Sequence, residues 1–537
     1  MKKATKVLAI ALAIMLVAVQ GIAACTIFAV GKGATVDGST MATHSCDSTS
    51  DDLRVWLIPS MPEGTERDVV LDGRAGADYS NFPEVKDYGK KRMVLGTYTT
   101  TRDTNQYLHA MYSFMNEKGL AMGESTCSYD RNSEQGKKVR AAFDGKEGIY
   151  DCYMLQDVAL EICDTAREAV EFMGALVTEY GWNGSAECID ICDGNEAWVF
   201  EVYGGNIWVA ARVPDDSIFV AANRARINFF VENDPDNYQY APGIKEFAIE
   251  NGLWDGQSDF IPCFTFAPYP YRPYSTRREW VAMMSLDPTL NLDPEEKDTD
   301  RNWPCFVKPQ NKVTVQDIFN IYGNYYQGTE YDVTKSIWGG QFGDPLNPAQ
   351  DFTQRAINSY RCTYLQIAQV NASLPEEARC LVWFGWGAPS VTYLTPLFGS
   401  QTSLPEHFGR GVRADYDRES GWWNEAVVQQ LSRINYTAAI EDVKAARDGK
   451  MTVQFAQTAA IQEVAASLIG MGKTEEAVAM LTNYSNMQSK MWFNTYEELA
   501  DTLLSNYMQG SVKGNTWGLK YTDFWNELSA SEWGQYK

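Results

Sequence analysis

Cys25 is the residue whose position most directly suggests chemistry. Ile22-Ala23-Ala24 before it is small and neutral, as a leader-peptidase site requires. Cleavage after Ala24 would leave Cys25 with a free α-amine beside its own thiol. That amine has an ordinary pKa of about 7.7–8.0 and a thiol one of about 8.5. A single residue would then supply both nucleophile and base, the N-terminal form of nucleophilic catalysis. Other hydrolytic machinery is hard to assemble from this chain. His44, His109 and His407 are far apart, and neither H-E-x-x-H nor C-x-x-C occurs. G-x-S-x-G and the phosphate-cradling G-x-x-x-x-G-K-[ST] loop are also missing. No metal or organic cofactor is expected.

The segment before Cys25 has the order of a secretory signal. Lys2, Lys3 and Lys6 make a basic head, and Val7 to Val19 is an unbroken apolar run. The run is shorter than the about 20 apolar residues that span a bilayer. An exported, secreted or periplasmic, protein is therefore expected, with residues 1–24 as leader. The net charge of −24, with 70 acidic and 46 basic residues, makes nucleic acid and anionic membrane poor partners. A small peptide substrate suits the chain better, and a homo-oligomer is allowed. With Cys25 reserved for chemistry, ten cysteines remain, enough for up to five disulfides, whose pairing cannot be read from sequence.

The elements that must position Cys25 begin at once. Residues 26–30 read as a strand, Gly31, Gly33 and Asp37-Gly38 turn the chain, and residues 39–45 return as a second strand. Residues 107–125 read as a hairpin turning at Asn116-Glu117-Lys118-Gly119. Helices are predicted over 150–162 and 165–179, the second opening with a capping box, Thr165-Ala166-Arg167-Glu168. Runs at 186–192, 196–203, 206–212 and 217–223 form a four-stranded meander that delivers Asn223 at its end. Residues 287–304 read as an acidic surface insertion. Its Asp298-to-Asn302 segment is rejected as a calcium loop, because Trp303 and Pro309 stand where glycine and a bidentate acid are needed. Two strands are expected within 380–398 and helices at 424–447, 452–471 and 474–508. The order suits an α+β fold, with a catalytic region over 25–400 and a mainly helical region over 401–537.

The stretch from Cys25-Thr26-Ile27-Phe28 through Asp37-Gly38-Ser39-Thr40-Met41 resembles the opening of the dipeptidase A family. The resemblance recurs at Asn116 to Thr126, Ala197 to Val202, Arg212 to Asp216 and Ala222-Asn223-Arg224. It continues at Tyr274 to Trp280 and Gly421-Trp422-Trp423-Asn424. These ordered matches span most of the chain beyond residue 24. More distantly, the chain is similar to bile-salt hydrolases and penicillin V acylases, which share the cysteine start and place an acid ten residues after the aspartate of the turn.

The resemblance implies an N-terminal-nucleophile (Ntn) hydrolase of αββα sandwich form that cleaves dipeptides through a Cys25 thioester. It implies that Asp47 orients the Cys25 amine and that Asn223 forms part of the oxyanion hole. Arg277 matches the site arginine, with Arg278 as the alternative equivalent. A second oxyanion donor is expected from Glu124-Ser125-Thr126, from the backbone or from Thr126. Relatives commonly carry arginine three residues before the acid, where this chain has His44; histidine titrates near neutrality and arginine does not. Two other readings remain. One is an acylase acting on N-acyl amino acids or conjugated bile acids with the same nucleophile. The other is a surface binding protein lipidated at Cys25, for which Ile22-Ala23-Ala24-Cys25 is a passable lipobox.

Overall fold

In the computed structural model the described residues are 25–49, 52–71, 93–269, 273–349, 354–515 and 519–533. The expected leader, residues 1–24, lies outside them. Cys25 runs directly into strand Ile27–Val30, which pairs on one side with Met41–Asp47 and on the other with Ile218–Ala221. This is the middle of a seven-stranded antiparallel sheet. Its order is Phe306–Val307, Ile218–Ala221, Ile27–Val30, Met41–Asp47, Cys362–Val370, Cys380–Trp386, Thr395–Phe398. A second antiparallel sheet of eight strands is centred on Ala121–Cys127, Ala186–Cys192 and Ala197–Gly204. A separate ribbon pairs Glu66–Leu71 with Met93–Thr99. The chain is thus α+β with antiparallel sheets.

The two large sheets meet at Thr43, whose backbone N–H leaves its own sheet to donate to Asp190 Oδ2 of the other at 2.6 Å. They also meet at Gly123. A Cβ there would fall 2.5 Å from Asp190 Oδ1 and closer still to the Thr43 carbonyl oxygen. Only glycine permits so close an approach of layers that normally pack about 10 Å apart.

The four-stranded meander is corrected to three strands. After Ile207–Arg212 the chain crosses to the other sheet, where Ile218–Ala221 pairs with Ile27–Val30. The crossing loop is pinned by Gly33, whose N–H donates to the Asp215 carbonyl at 2.6 Å, and a Cβ on Gly31 would fall 2.5 Å from that same oxygen. In the 107–125 hairpin only Tyr107–His109, Met115–Asn116 and Ala121–Cys127 keep strand geometry.

Helices Cys152–Ile162 and Ala166–Tyr180 lie close to the predicted spans. The second is capped by Thr165, which accepts from the Glu168 N–H, while Glu168 reaches Asp164 N–H instead of closing the box. At the C-terminal end, Gly421–Ser432, Tyr436–Gly470 and Thr474–Tyr507 are helices, followed by Asp523–Trp533. The break expected near 448–451 falls instead at Arg433–Asn435. Gly449 faces open space and is carried inside a 35-residue helix, at a cost of about 1 kcal/mol relative to alanine. These helices dock on the seven-stranded sheet and its loops. Trp492 stacks on Trp386 with ring centroids 5.3 Å apart, and Gln454 donates to the Leu394 carbonyl at 2.7 Å.

All eleven cysteines are buried thiols, so none of the five allowed disulfides is formed. Among the described residues no helix is long and apolar enough to cross a membrane.

Candidate active site

Cys25 is buried where the two sheets converge. Its Sγ donates to Glu124 Oε1 at 3.0 Å, and His44 Nε2 lies 3.1 Å from that same oxygen without a well-aligned hydrogen bond to it. Burial, then the negative charges of Glu124 and Asp47, push the Cys25 thiol well above its ordinary pKa. The resting residue is therefore S–H, and attack requires a base.

On the Glu124 side a second acid, Glu187, shares a hydrogen bond with Glu124. Burial and that neighbour raise Glu187 well above the usual carboxylate range, so it holds the proton between them. Burial also pushes Glu124 upward, but His44 and hydrogen bonds from Glu187 and Cys25 outweigh it and hold Glu124 low. The His44 ring is wedged edge-on between Tyr112 and Tyr364, with centroids 5.2 and 5.5 Å away.

On the opposite side stand the arginines. Arg278 is fully buried and donates from Nη1 to the Cys25 carbonyl at 2.9 Å and to Thr26 Oγ1 at 3.0 Å. Its Nη2 donates to Asn223 Oδ1 at 2.7 Å. Asp47 ends strand Met41–Asp47 and forms a buried ion pair with Arg355. Burial raises the Asp47 pKa, against the opposing pull of Arg355 and Arg278. Its Oδ1 is buried and has no hydrogen-bond partner among the described residues.

Asn223 lies two residues past strand Ile218–Ala221, in the left-handed region at φ 62°. That conformation is uncommon for a residue with a Cβ and suits asparagine best. Three contacts hold it: its N–H donates to Ser125 Oγ at 2.8 Å, its Nδ2 donates to the Thr126 carbonyl at 2.9 Å, and its Oδ1 accepts from Arg278. Ser125 Oγ in turn donates to the Cys25 carbonyl at 3.3 Å. Cys25, Asn223 and Arg278 are thus parts of one frame.

The structure brings Cys25, Asp47 and Asn223 into this neighbourhood and turns Arg277 out of it. Arg277 pairs with Glu295 and Gln354 and lies over the Tyr331 ring at 3.8 Å. Successive residues of helix Pro273–Leu286 point about 100° apart, so Arg277 and Arg278 cannot both face Cys25. Arg278, the alternative to Arg277, is the one that lies against Cys25. The Thr126 hydroxyl reaches Glu124 Oε2 at 3.4 Å and also Glu187, so it is engaged with acids. Sequence reasoning did not single out Glu187 or Arg355, and named Glu124 only for its backbone. Arg355 carries no motif and meets Asp47 across 308 positions of sequence.

A sequence model of one peptidase family, C69, matches residues 24–449. The chain belongs to peptidase family C69. Members of that family are hydrolases of peptide bonds, and so is this enzyme. It is similar to a probable dipeptidase of Latilactobacillus sakei, 28% identical over 424 residues, covering 78% of this chain and 82% of the relative. A probable dipeptidase of Salmonella dublin is 26% identical over 395 residues, with 72% and 84% covered. Dipeptidase A of Lactobacillus helveticus is 25% identical over 421 residues, with 77% and 82% covered. The matched region includes every residue of the frame around Cys25.

Proposed function

We propose that this member of family C69 is an exported dipeptidase of the Ntn-hydrolase αββα type, with Cys25 as nucleophile after removal of residues 1–24. The observation that carries the reading is an unspent acceptor close to Cys25. Asp47 keeps one buried, unpartnered oxygen near a residue whose backbone nitrogen would become an ammonium or amine on processing. A family match that begins one residue before Cys25, and the dipeptidase names of the relatives, support the same reading.

In the proposed reaction the Cys25 amine, oriented by Asp47, takes the thiol proton as Sγ attacks the substrate carbonyl. The tetrahedral oxyanion is held at Asn223, and Arg278 fixes Asn223 and the Cys25 carbonyl. Collapse breaks the C–N bond, the leaving amine takes the proton, and a thioester remains. Water deprotonated by the Cys25 amine then frees the acid and the thiol. An oxyanion donor of this kind contributes about 3–4 kcal/mol.

The test is mass analysis of active protein together with assays on dipeptides and on N-acyl amino acids. An unmodified Cys25 terminus with dipeptide turnover is expected. Full activity in a form retaining residues 1–24 would refute the mechanism, a lipidated Cys25 would point to the binding-protein reading, and turnover of N-acyl amino acids alone would make the enzyme an acylase.

A further inference from the structure

We propose that the processed enzyme carries an inhibitory zinc site, in which the Cys25 thiolate, His44 Nε2 and Glu124 hold one Zn²⁺ that caps the nucleophile reversibly. The proposal rests on the reading that Cys25 begins the processed chain, and it adds a regulator to that reading. The three side chains converge from three places: Cys25 two residues before strand Ile27–Val30, His44 on strand Met41–Asp47 and Glu124 on strand Ala121–Cys127. One ligand atom from each lies within 4.8 Å of the others. The Sγ–Oε1 and Nε2–Oε1 separations are 3.0 and 3.1 Å. Zinc bonds of about 2.0–2.3 Å give tetrahedral edges of about 3.5 Å, so the atoms need open by only about half an ångström.

His44 supplies the second observation. It is 1% exposed, and its Nε2 is turned toward Glu124 and Cys25 without an aligned hydrogen bond among the described residues. An imidazole ring nitrogen is a metal ligand, which an arginine at this position would not be. The surroundings resemble the outer shell of a metal site: Tyr112 and Tyr364 fix the ring plane, and Glu187 shares a hydrogen bond with Glu124.

Sulfur, imidazole and a single carboxylate suit zinc and exclude the oxygen-seeking Mg²⁺ and Ca²⁺. The freed Cys25 amine completes the set, since amine and thiolate of one cysteine close a five-membered chelate ring. On binding, the Cys25 S–H bond breaks, its proton passes to solvent and an S–Zn bond forms, with no change of oxidation state.

The experiment uses metal-free mature enzyme. Zn²⁺ is expected to bind one per chain by calorimetry, to stop hydrolysis until a chelator is added, and to protect Cys25 from iodoacetamide. Co²⁺ is expected to give a thiolate-to-metal charge-transfer band that Cys25→Ser removes. His44→Gln should weaken binding by more than ~100-fold, since even outer-shell partners of metal ligands are worth about 10–100-fold. Absence of the Co²⁺ band in the wild-type protein, or failure of Zn²⁺ to protect Cys25, overturns the proposal even if His44→Gln does not fold. Unchanged Zn²⁺ affinity in a folded His44→Gln also overturns it. Metal binding without dipeptide hydrolysis would instead overturn the functional reading and leave the site standing.

Discussion

Two buried ionic clusters lie next to each other in this protein, built from the same residue types and finished differently. One surrounds Cys25 and contains Asp47, Arg355, Arg278, Glu124 and His44. The other contains Arg224, Arg226, Glu279, Asp300 and Glu201. In the second, arginine and carboxylate are matched closely, and among the described residues Arg224 Nη2 alone of its side-chain atoms has no hydrogen-bond partner. Arg224 reaches Glu279 at 2.6 Å and Asp300 at 2.7 Å, Arg226 lies 3.3 Å from Glu279, and Glu201 accepts from the backbone of Arg226 and Ile227. In the first, Arg278 spends its donors on carbonyl, hydroxyl and amide oxygens, Asp47 Oδ1 has no hydrogen-bond partner among the described residues, and His44 Nε2 meets Glu124 at 3.1 Å without an aligned hydrogen bond. A closed cluster fixes a fold; an open one has capacity left for a substrate. One helix serves both. Arg277, Arg278 and Glu279 are consecutive, and they go to surface Glu295, to Cys25 and to Arg224.

The contrast is most severely tested at Cys25. Cys25→Ala should lower kcat by at least ~10⁴-fold with the melting temperature nearly unchanged, and Cys25→Ser should keep a trace of turnover. Hydrolysis at the wild-type rate by a folded Cys25→Ala protein would remove the open cluster from the chemistry. Next are the neighbouring arginines. Arg278→Lys loses the forked donation that ties Asn223 to the Cys25 carbonyl, and should cost about 10²–10³-fold in kcat. Arg277→Lys, in a partly exposed pair, should stay within about threefold. Equal losses at the two positions, measured as kcat/KM on one dipeptide, would erase the distinction.

In the closed cluster the loss should be of stability. Arg224→Met leaves Glu279 and Asp300 short of a partner and should cost about 3–5 kcal/mol in urea unfolding, with kcat of the folded fraction unchanged. A gradual pH dependence of stability is expected at Glu201, whose carboxyl burial pushes up from 4.5 to about 7. The folded state favours the protonated form. Its contribution is complete below pH about 4.5 and declines as pH rises to about 7, a loss of up to about 3 kcal/mol. Glu201→Gln should flatten that slope. An unchanged slope would place the titration elsewhere.

Much of the frame was legible because it is local. Ile27–Val30 is an apolar run bounded by glycine, and Ala186–Cys192 and Ala197–Gly204 are separated by Asp193-Gly194-Asn195, so both stood out by punctuation. Cys362–Val370, the strand beside Met41–Asp47, did not, because Gln366 and Gln369 interrupt its apolar pattern and no turn signal announces it. Gln366 is buried and donates to the Met122 carbonyl of the other sheet, a use that composition does not reveal. The insertion at 287–304 looked solvent-facing from its acids, yet Thr299 and Asp300 are buried against Arg224. The site followed the same rule. Cys25, Asp47 and Asn223 could be named from motifs, whereas Glu187 and Arg355 become visible only when distant segments meet. The choice between Arg277 and Arg278 needed the helix phase.

Gly123 acts as a clearance setting for the whole interior. Strand Ala121–Cys127 carries Glu124 immediately after it, and a Cβ at Gly123 would come 3.0 Å from His44 Cβ. One missing methyl therefore fixes how far strand Met41–Asp47 stands from strand Ala121–Cys127, which faces it. Enlarging it even to alanine would act as a shim, lifting His44 and Thr43 off the opposite layer and spreading the groups around Cys25 in concert. The geometry around Cys25 is in that sense a tolerance stack with its thinnest part at a residue that has no side chain.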